Sequence, residues 1–167
     1  MKYTEKFKEL TSPYKEPVLD IGGGRINFLE RLGVKKGIVL DIKFNWQQEG
    51  ISNLYCDLTK GFKLTRQFPT IFLFEVLEHI KNPLYLMAEV YDLLTDDGVC
   101  YIAIPYTKLK PKHKEHVCRW TLKELKNQME KLGFKVNVLI KKRRFKNKGF
   151  WLPHCFLVLE LKKEDLK

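Results

Sequence analysis

The 167-residue sequence predicts a three-layer α/β fold, a mostly parallel sheet with helices on both faces. Three observations carry that expectation. Short apolar runs alternate with helical patterns along most of the chain. Three of those runs finish beside an acid, at Asp20, Asp41 and Glu75, as strands do when their carboxyl ends face a site. Two further runs near the end, Val136–Ile140 and Cys155–Leu161, are spaced to close the sheet as a hairpin.

Residues 1–16 form a short N-terminal segment with at most one helix over Lys2–Tyr14, bearing Phe7 and Leu10, before Ser12-Pro13 breaks it. Pro17–Ile21 then reads as the first strand, Gly22-Gly23-Gly24 as a tight turn, and Ile26, Leu29 and Leu32 as one face of a helix ended by Gly33. Glycines at such a turn let a ligand lie against bare backbone at a helix N-terminus. Neither phosphate motif fits. The position five after Gly22 is Asn27, no Lys-Ser/Thr follows, and Asp20 would repel a pyrophosphate while attracting a cationic group.

Gly37–Ile42 is a second strand and Ile51–Leu58 a third that runs into a loop. Phe68–Phe74 is a fourth, followed by the polar cluster Glu75, Glu78 and His79. Asn82-Pro83 opens a helix with Leu86, Val90 and Leu94 on its stripe, ending at Asp97-Gly98, and Val99–Pro105 is the fifth strand. Thr121-Leu122-Lys123-Glu124 is a capping box for a helix carrying Leu122, Leu125, Met129 and Leu132 and stopped by Gly133. No repeat or second domain is visible, so residues 1–167 are expected to form one domain.

The net charge of +11 is concentrated. Between Lys108 and Lys148 there are 15 Lys and Arg against 3 Asp and Glu, which predicts one strongly basic face, either a solvated surface or a contact for an anionic partner such as RNA. There is no run of about 18 apolar residues and no signal-peptide pattern. The expectation is therefore a soluble, cytoplasmic protein with no membrane contact. Cys56, Cys100, Cys118 and Cys155 form no C-x-x-C pair and are expected as reduced thiols.

Asp20, Gly22 and Gly24 together resemble the first motif of the class I S-adenosylmethionine-dependent methyltransferases: an acid, one residue, then G-x-G-x-G. The third glycine of that motif falls on Ile26, a departure that narrows the pocket. The resemblance covers roughly Pro17 to Leu161. It implies a Rossmann-like, seven-stranded sheet of order 3-2-1-4-5-7-6 with the last strand antiparallel. It also implies cofactor contacts: Asp41 on the ribose hydroxyls, Asp57 on the adenine amino group with Leu58 against the ring, and Phe74 and Glu75 beside the methionine part. The most specific match is Glu75-Val76-Leu77-Glu78-His79-Ile80, a recurring form of the family's fourth motif.

Methyl transfer to a hydroxyl needs a base or a metal to lower the hydroxyl's pKa. Glu75, Glu78 and His79 lie within five residues, and His113-Lys114-Glu115-His116 follows the fifth strand. With Trp120-Thr121 behind them, they resemble the metal-dependent small-RNA terminal 2′-O-methyltransferases, and a related arrangement occurs in ubiquinone-pathway O-methyltransferases. The resemblance implies that Glu75, Glu78, His79 and His116 hold a divalent ion, whether Mg, Mn, Fe or Zn, with Glu75, His79 and His116 in the chemistry. In many other members the same residues only pack or hydrogen-bond. His113 and Arg119, together with Arg143, Arg144, Phe145 and Trp151 on a basic aromatic arm at 141–153, are candidates for gripping phosphates and stacking on bases. The functional expectation is an S-adenosylmethionine-dependent methyltransferase, O-directed, acting as monomer or homodimer on RNA or on a small-molecule acceptor of the quinone-precursor type. The alternative is a non-catalytic RNA-binding module on the same fold.

Overall fold

A computed structural model describes residues 9, 11, 13–105, 115–142 and 156–164. Seven strands, β1 (Val18–Ile21), β2 (Gly37–Asp41), β3 (Ile51–Tyr55), β4 (Phe68–Phe74), β5 (Leu94–Pro105), β6 (Phe134–Lys142) and β7 (Phe156–Lys163), form one sheet. The helices α1 (Phe28–Leu32), α2 (Pro83–Leu93) and α3 (Leu122–Lys131) accompany them. The strand order is β3-β2-β1-β4-β5-β7-β6. All pairings are parallel except those of β7, which runs antiparallel to both β5 and β6. This is the Rossmann-like methyltransferase topology expected from the sequence.

The central strands are continuous apolar runs because helices and loops cover both of their faces. All four residues of β1 are buried. Successive side chains point to opposite sides of a strand, so the chain builds two cores. Leu19, Ile21, Ile71, Leu73, Ile102 and Leu159 pack with Leu86, Met87 and Val90 of α2 and with Leu125 and Met129 of α3. On the other face Val18, Val39, Phe72 and Tyr101 meet Leu29 and Leu32 of α1. The capping box of α3 is present in both directions: Glu124 N–H donates to Thr121 Oγ1 and Thr121 N–H to Glu124 Oε2.

Three expectations are corrected. Ile26 does not join the apolar face of α1; it is 47% exposed in the turn before the Asn27 cap, and the buried face is Leu29 and Leu32 alone. The spacing 26, 29, 32 matches a helix only by coincidence, because the helix starts two residues after Ile26. β5 begins at Leu94, not Val99: Leu94 pairs with Phe68 and Val99 with Thr70, so residues 95–98 bulge out between two paired positions. The acid-glycine turn thus lies inside the strand, and the last buried residue of α2 is Leu93. β3 stops at Tyr55, and Leu58 opens a 3₁₀ turn rather than continuing the strand.

Cys56, Cys100 and Cys118 are free thiols, while Cys155 lies outside the described residues. The same is true of nearly all of the expected N-terminal helix, of His113, and of Arg143, Arg144, Phe145 and Trp151. No helix among the described residues is long and apolar enough to cross a membrane.

Candidate active site at the carboxyl ends of the strands

The order of the sheet sets the tips of β1, β2 and β4 side by side, with β5 next to them. Each of the first three tips bears an acid from the sequence: Asp20, Asp41 and Glu75.

Asp20 is 2% exposed, and its Oδ2 has no hydrogen-bond partner among the described residues. Burial, and secondarily the charge of Asp41, pushes its carboxyl up to about 7. The glycine turn closes directly over it. A Cβ on Gly23 would fall on the Asp20 carboxylate, and a Cβ on Gly24 would fall on the Lys43 carbonyl oxygen. The bare backbone of this turn is therefore needed first for the chain to pack on itself. Ile26, at the third motif position, is exposed, so it does not constrict the turn from inside.

Asp41 is half-buried, and both its oxygens are engaged: Oδ2 accepts from Gly24 N–H at 3.0 Å and Oδ1 from Lys43 N–H at 3.1 Å. The connection after β2 then returns to the turn. Asn45 N–H donates to the Gly24 carbonyl at 2.9 Å and Trp46 Nε1–H to the Gly23 carbonyl at 3.1 Å. Sequence reasoning passed over Trp46; its only signal is a tryptophan in a polar loop. Asp57 caps the 3₁₀ turn Leu58–Lys60, accepting from Thr59 Oγ1 at 2.6 Å and Thr59 N–H at 3.1 Å, with Lys60 Nζ 3.2 Å away. The Thr59 hydrogen bonds hold its carboxyl below the usual range. Leu58 packs on the edge of the larger core. Phe74 sets its ring edge-on to Phe28, with centroids 4.9 Å apart, and beside Phe72 at 5.2 Å.

At the end of β4 the chain turns sharply. Glu75 is the one described non-glycine residue with positive φ, at 57°, and its N–H donates to the Ala103 carbonyl of β5 at 2.8 Å. A non-glycine residue in this region is strained by about 1–2 kcal/mol, and such strain gathers at functional sites. The turn throws Glu75 and Glu78 inward. Glu78 is 2% exposed; neither of its oxygens, nor Oε1 of Glu75, has a hydrogen-bond partner among the described residues. Burial raises both carboxyls well above the usual range, and the charge of Glu78 raises Glu75 further.

The segment after β5 comes back onto this turn. Val117 N–H and Cys118 N–H donate to the Glu78 carbonyl at 2.7 and 3.1 Å, and His79 Nδ1 lies 3.1 Å from the Glu115 carbonyl. A carbonyl can only accept, so Nδ1 carries a proton, and in the neutral ring the lone pair belongs to Nε2. His116 meets His79 edge-on, with ring centroids 4.8 Å apart. One ligand atom each from Glu78, His79 and His116 can be chosen so that all lie within 4.8 Å of one another. Glu75 stands beside Glu78 but is not in that group. Glu78, His116, Cys118, Arg119 and Trp120 line a cavity of about 10 Å³, room for a single water, and Arg119 is exposed at its rim.

The donor set matches the chemistry of two groups. A buried acid with an unpartnered oxygen beside a second acid favours a cationic ligand, as S-adenosylmethionine is. Two imidazoles and a carboxylate suit a divalent transition metal.

Known proteins agree with the topology. No curated protein matches the chain in sequence. A chain of the complex between the Haloferax volcanii Trm112 methyltransferase activator and a methyltransferase is similar in fold, with a TM-score of 0.73 at 16% identity over 98% of this chain and 90% of that one. YcgJ of Bacillus subtilis gives 0.76 at 13% identity over 97% and 98%. The Burkholderia thailandensis 1,6-didemethyltoxoflavin-N1-methyltransferase, solved with S-adenosylhomocysteine, gives 0.69 at 18% identity over 89% and 71%. The sequence profile of the methyltransferase domain matches residues 2–138, most of the chain, and the protein belongs to that family, with the fold of the class I S-adenosylmethionine-dependent methyltransferases.

Proposed function

We propose that the protein transfers a methyl group from S-adenosylmethionine to an oxygen atom of its acceptor, with a divalent cation held by Glu78, His79 and His116 and balanced by Glu75. The observation that carries this reading is the convergence of those ligand atoms within 4.8 Å at the mouth of β4 and β5. Bound at β1 and β2, the cofactor supplies a methyl on a sulfonium, open to in-line displacement; the cation supplies Lewis acidity toward a hydroxyl.

The chain's own residues do the rest. Asp41, at the tip of β2, keeps its two amide donors and offers the remaining lone pairs of its carboxylate to the ribose hydroxyls. Asp20 lends negative charge under the turn, and Asp57 and Leu58, at the start of the 3₁₀ turn after β3, are the residues we assign to the adenine end. His79 is oriented through Nδ1 by the Glu115 carbonyl, the outer-shell bond that metal-ligating histidines use. Burial raises the carboxyls of Glu75 and Glu78, and a positive charge arriving beside them favours their ionised forms. Arg119, at the rim of the cavity, supports an acceptor with a phosphate, RNA above all. The Burkholderia neighbour, solved with a small-molecule acceptor, supports a second reading, methylation of a small molecule.

Calorimetric titration with S-adenosylmethionine and S-adenosylhomocysteine tests the cofactor; binding of neither would sink the proposal. Tritiated methyl transfer to RNA, protein and metabolite fractions, with EDTA and then with Mn or Mg restored, tests the cation and the acceptor. Transfer that resists EDTA removes the metal from the mechanism.

A further inference from the structure

Resting on the cofactor reading above, we infer that Trp46 is a positioning residue for the glycine turn, and that the β2–β3 connection, residues 42–50, sets the turn's shape before a cofactor arrives. No helix forms in this connection. What replaces it is a polar latch. Trp46 Nε1–H holds the Gly23 carbonyl at 3.1 Å and Asn45 N–H holds the Gly24 carbonyl at 2.9 Å, so two consecutive peptide planes of the turn are fixed from outside the sheet. On the opposite side Gly24 N–H is fixed by Asp41 Oδ2 at 3.0 Å.

The latch is itself anchored. The Trp46 carbonyl accepts from Asn53 Nδ2 of β3 at 2.9 Å, and the indole packs partly buried on the α1 face of the sheet. Gln48 reaches the Val34 carbonyl through Nε2 at 2.6 Å and receives Asn27 Nδ2, from the cap of α1, at 3.2 Å. The loop therefore ties the entrance of α1, the glycine turn and the edge strand into one unit. Fixing the turn in advance lowers the ordering cost of binding. Trp46 touches neither the Glu75–His116 cluster nor its cavity among the contacts that define them, so its effect should be confined to the cofactor half.

The test is calorimetric titration of the whole chain with S-adenosylhomocysteine for wild type, Trp46→Phe and Asn53→Ala. Trp46→Phe keeps an aromatic ring against the α1 face and loses the N–H together with part of the indole's bulk. It is expected to weaken binding three- to tenfold, the worth of one neutral hydrogen bond, with KM for S-adenosylmethionine rising by the same factor and kcat unchanged. Asn53→Ala, which frees the Trp46 carbonyl without touching the ring, should weaken binding by about two- to threefold. A merely structural tryptophan would lower the melting temperature and leave affinity below that temperature intact. Affinity within twofold of wild type in the folded variants, or in Asn53→Ala alone if Trp46→Phe does not fold, overturns the inference. If wild type itself binds no S-adenosylhomocysteine, the cofactor reading fails first, and that result is distinct from a wild type that binds and variants that bind equally.

Discussion

The two halves of the strand-end crescent treat their acids in opposite ways. At β1 and β2, Asp41 has both oxygens met by backbone N–H groups, and the glycine turn beside it is bonded on two sides. At β4 and β5, three carboxylate oxygens of Glu75 and Glu78 are buried with no hydrogen-bond partner among the described residues, on a turn that begins with a strained φ. The first half has the form of a finished mould. The second carries an electrostatic debt that only a cation or bound protons settle. Asp20 belongs by chemistry to the second kind although it sits in the first half, which makes it the link between them.

The comparison breaks most sharply at His116. Replacing it with Ala should cut methyl transfer on the order of a thousandfold, about 4 kcal/mol of barrier, while S-adenosylhomocysteine affinity stays within twofold. A loss of affinity as large as the loss of rate would show that the halves are not separate. Next comes pH. The Asp20 carboxyl titrates near 7 in the fold but near 3.8 in the open chain, so the folded state holds the extra proton between those values and stability falls as pH rises through that window. Between pH 5.5 and 7 the Asp20 share of the loss is about 1.6 kcal/mol, less than the full 1.36 kcal/mol per unit because the folded carboxyl is half ionised at 7, which lowers the melting temperature of the ligand-free protein by roughly 3–6 °C. Asp20→Asn should flatten that part of the slope; an unchanged slope would assign it elsewhere. The smallest effect is Thr121→Ala, which removes one half of the α3 capping box and should cost about 1 kcal/mol, read as a shift of roughly 2–4 °C in calorimetry, with turnover per folded molecule unchanged.

Legibility in the sequence followed the range of the forces. Asp20, Asp41 and the Glu75–His79 run could be placed because a strand's apolar run and its terminal acid lie within a few residues of each other, and Thr121–Glu124 because a capping box is written in four. Leu94 could not, since its place in β5 depends on pairing with Phe68 and on a four-residue bulge that no local pattern encodes. Ile26 was misplaced by a periodicity that ignored where Asn27 caps. The hydrogen bond from Trp46 to Gly23 spans 23 residues of chain and has no signature in either neighbourhood. The segment of His113 and His116 could be set near the cluster because it follows the fifth strand, and a resemblance singled out His116; its meeting with His79 goes with the bonds from Val117 and Cys118 to Glu78.

The left-handed backbone of Glu75 also bears on how this protein would respond to selection. A glycine or asparagine there would relax the turn, and losing the carboxylate would remove an ion that the interior resists. Heat resistance and chemistry thus pull in opposite directions at one codon: a library screened for thermal survival alone would enrich changes at Glu75 early, and its fittest members would be the ones that had given up the acid.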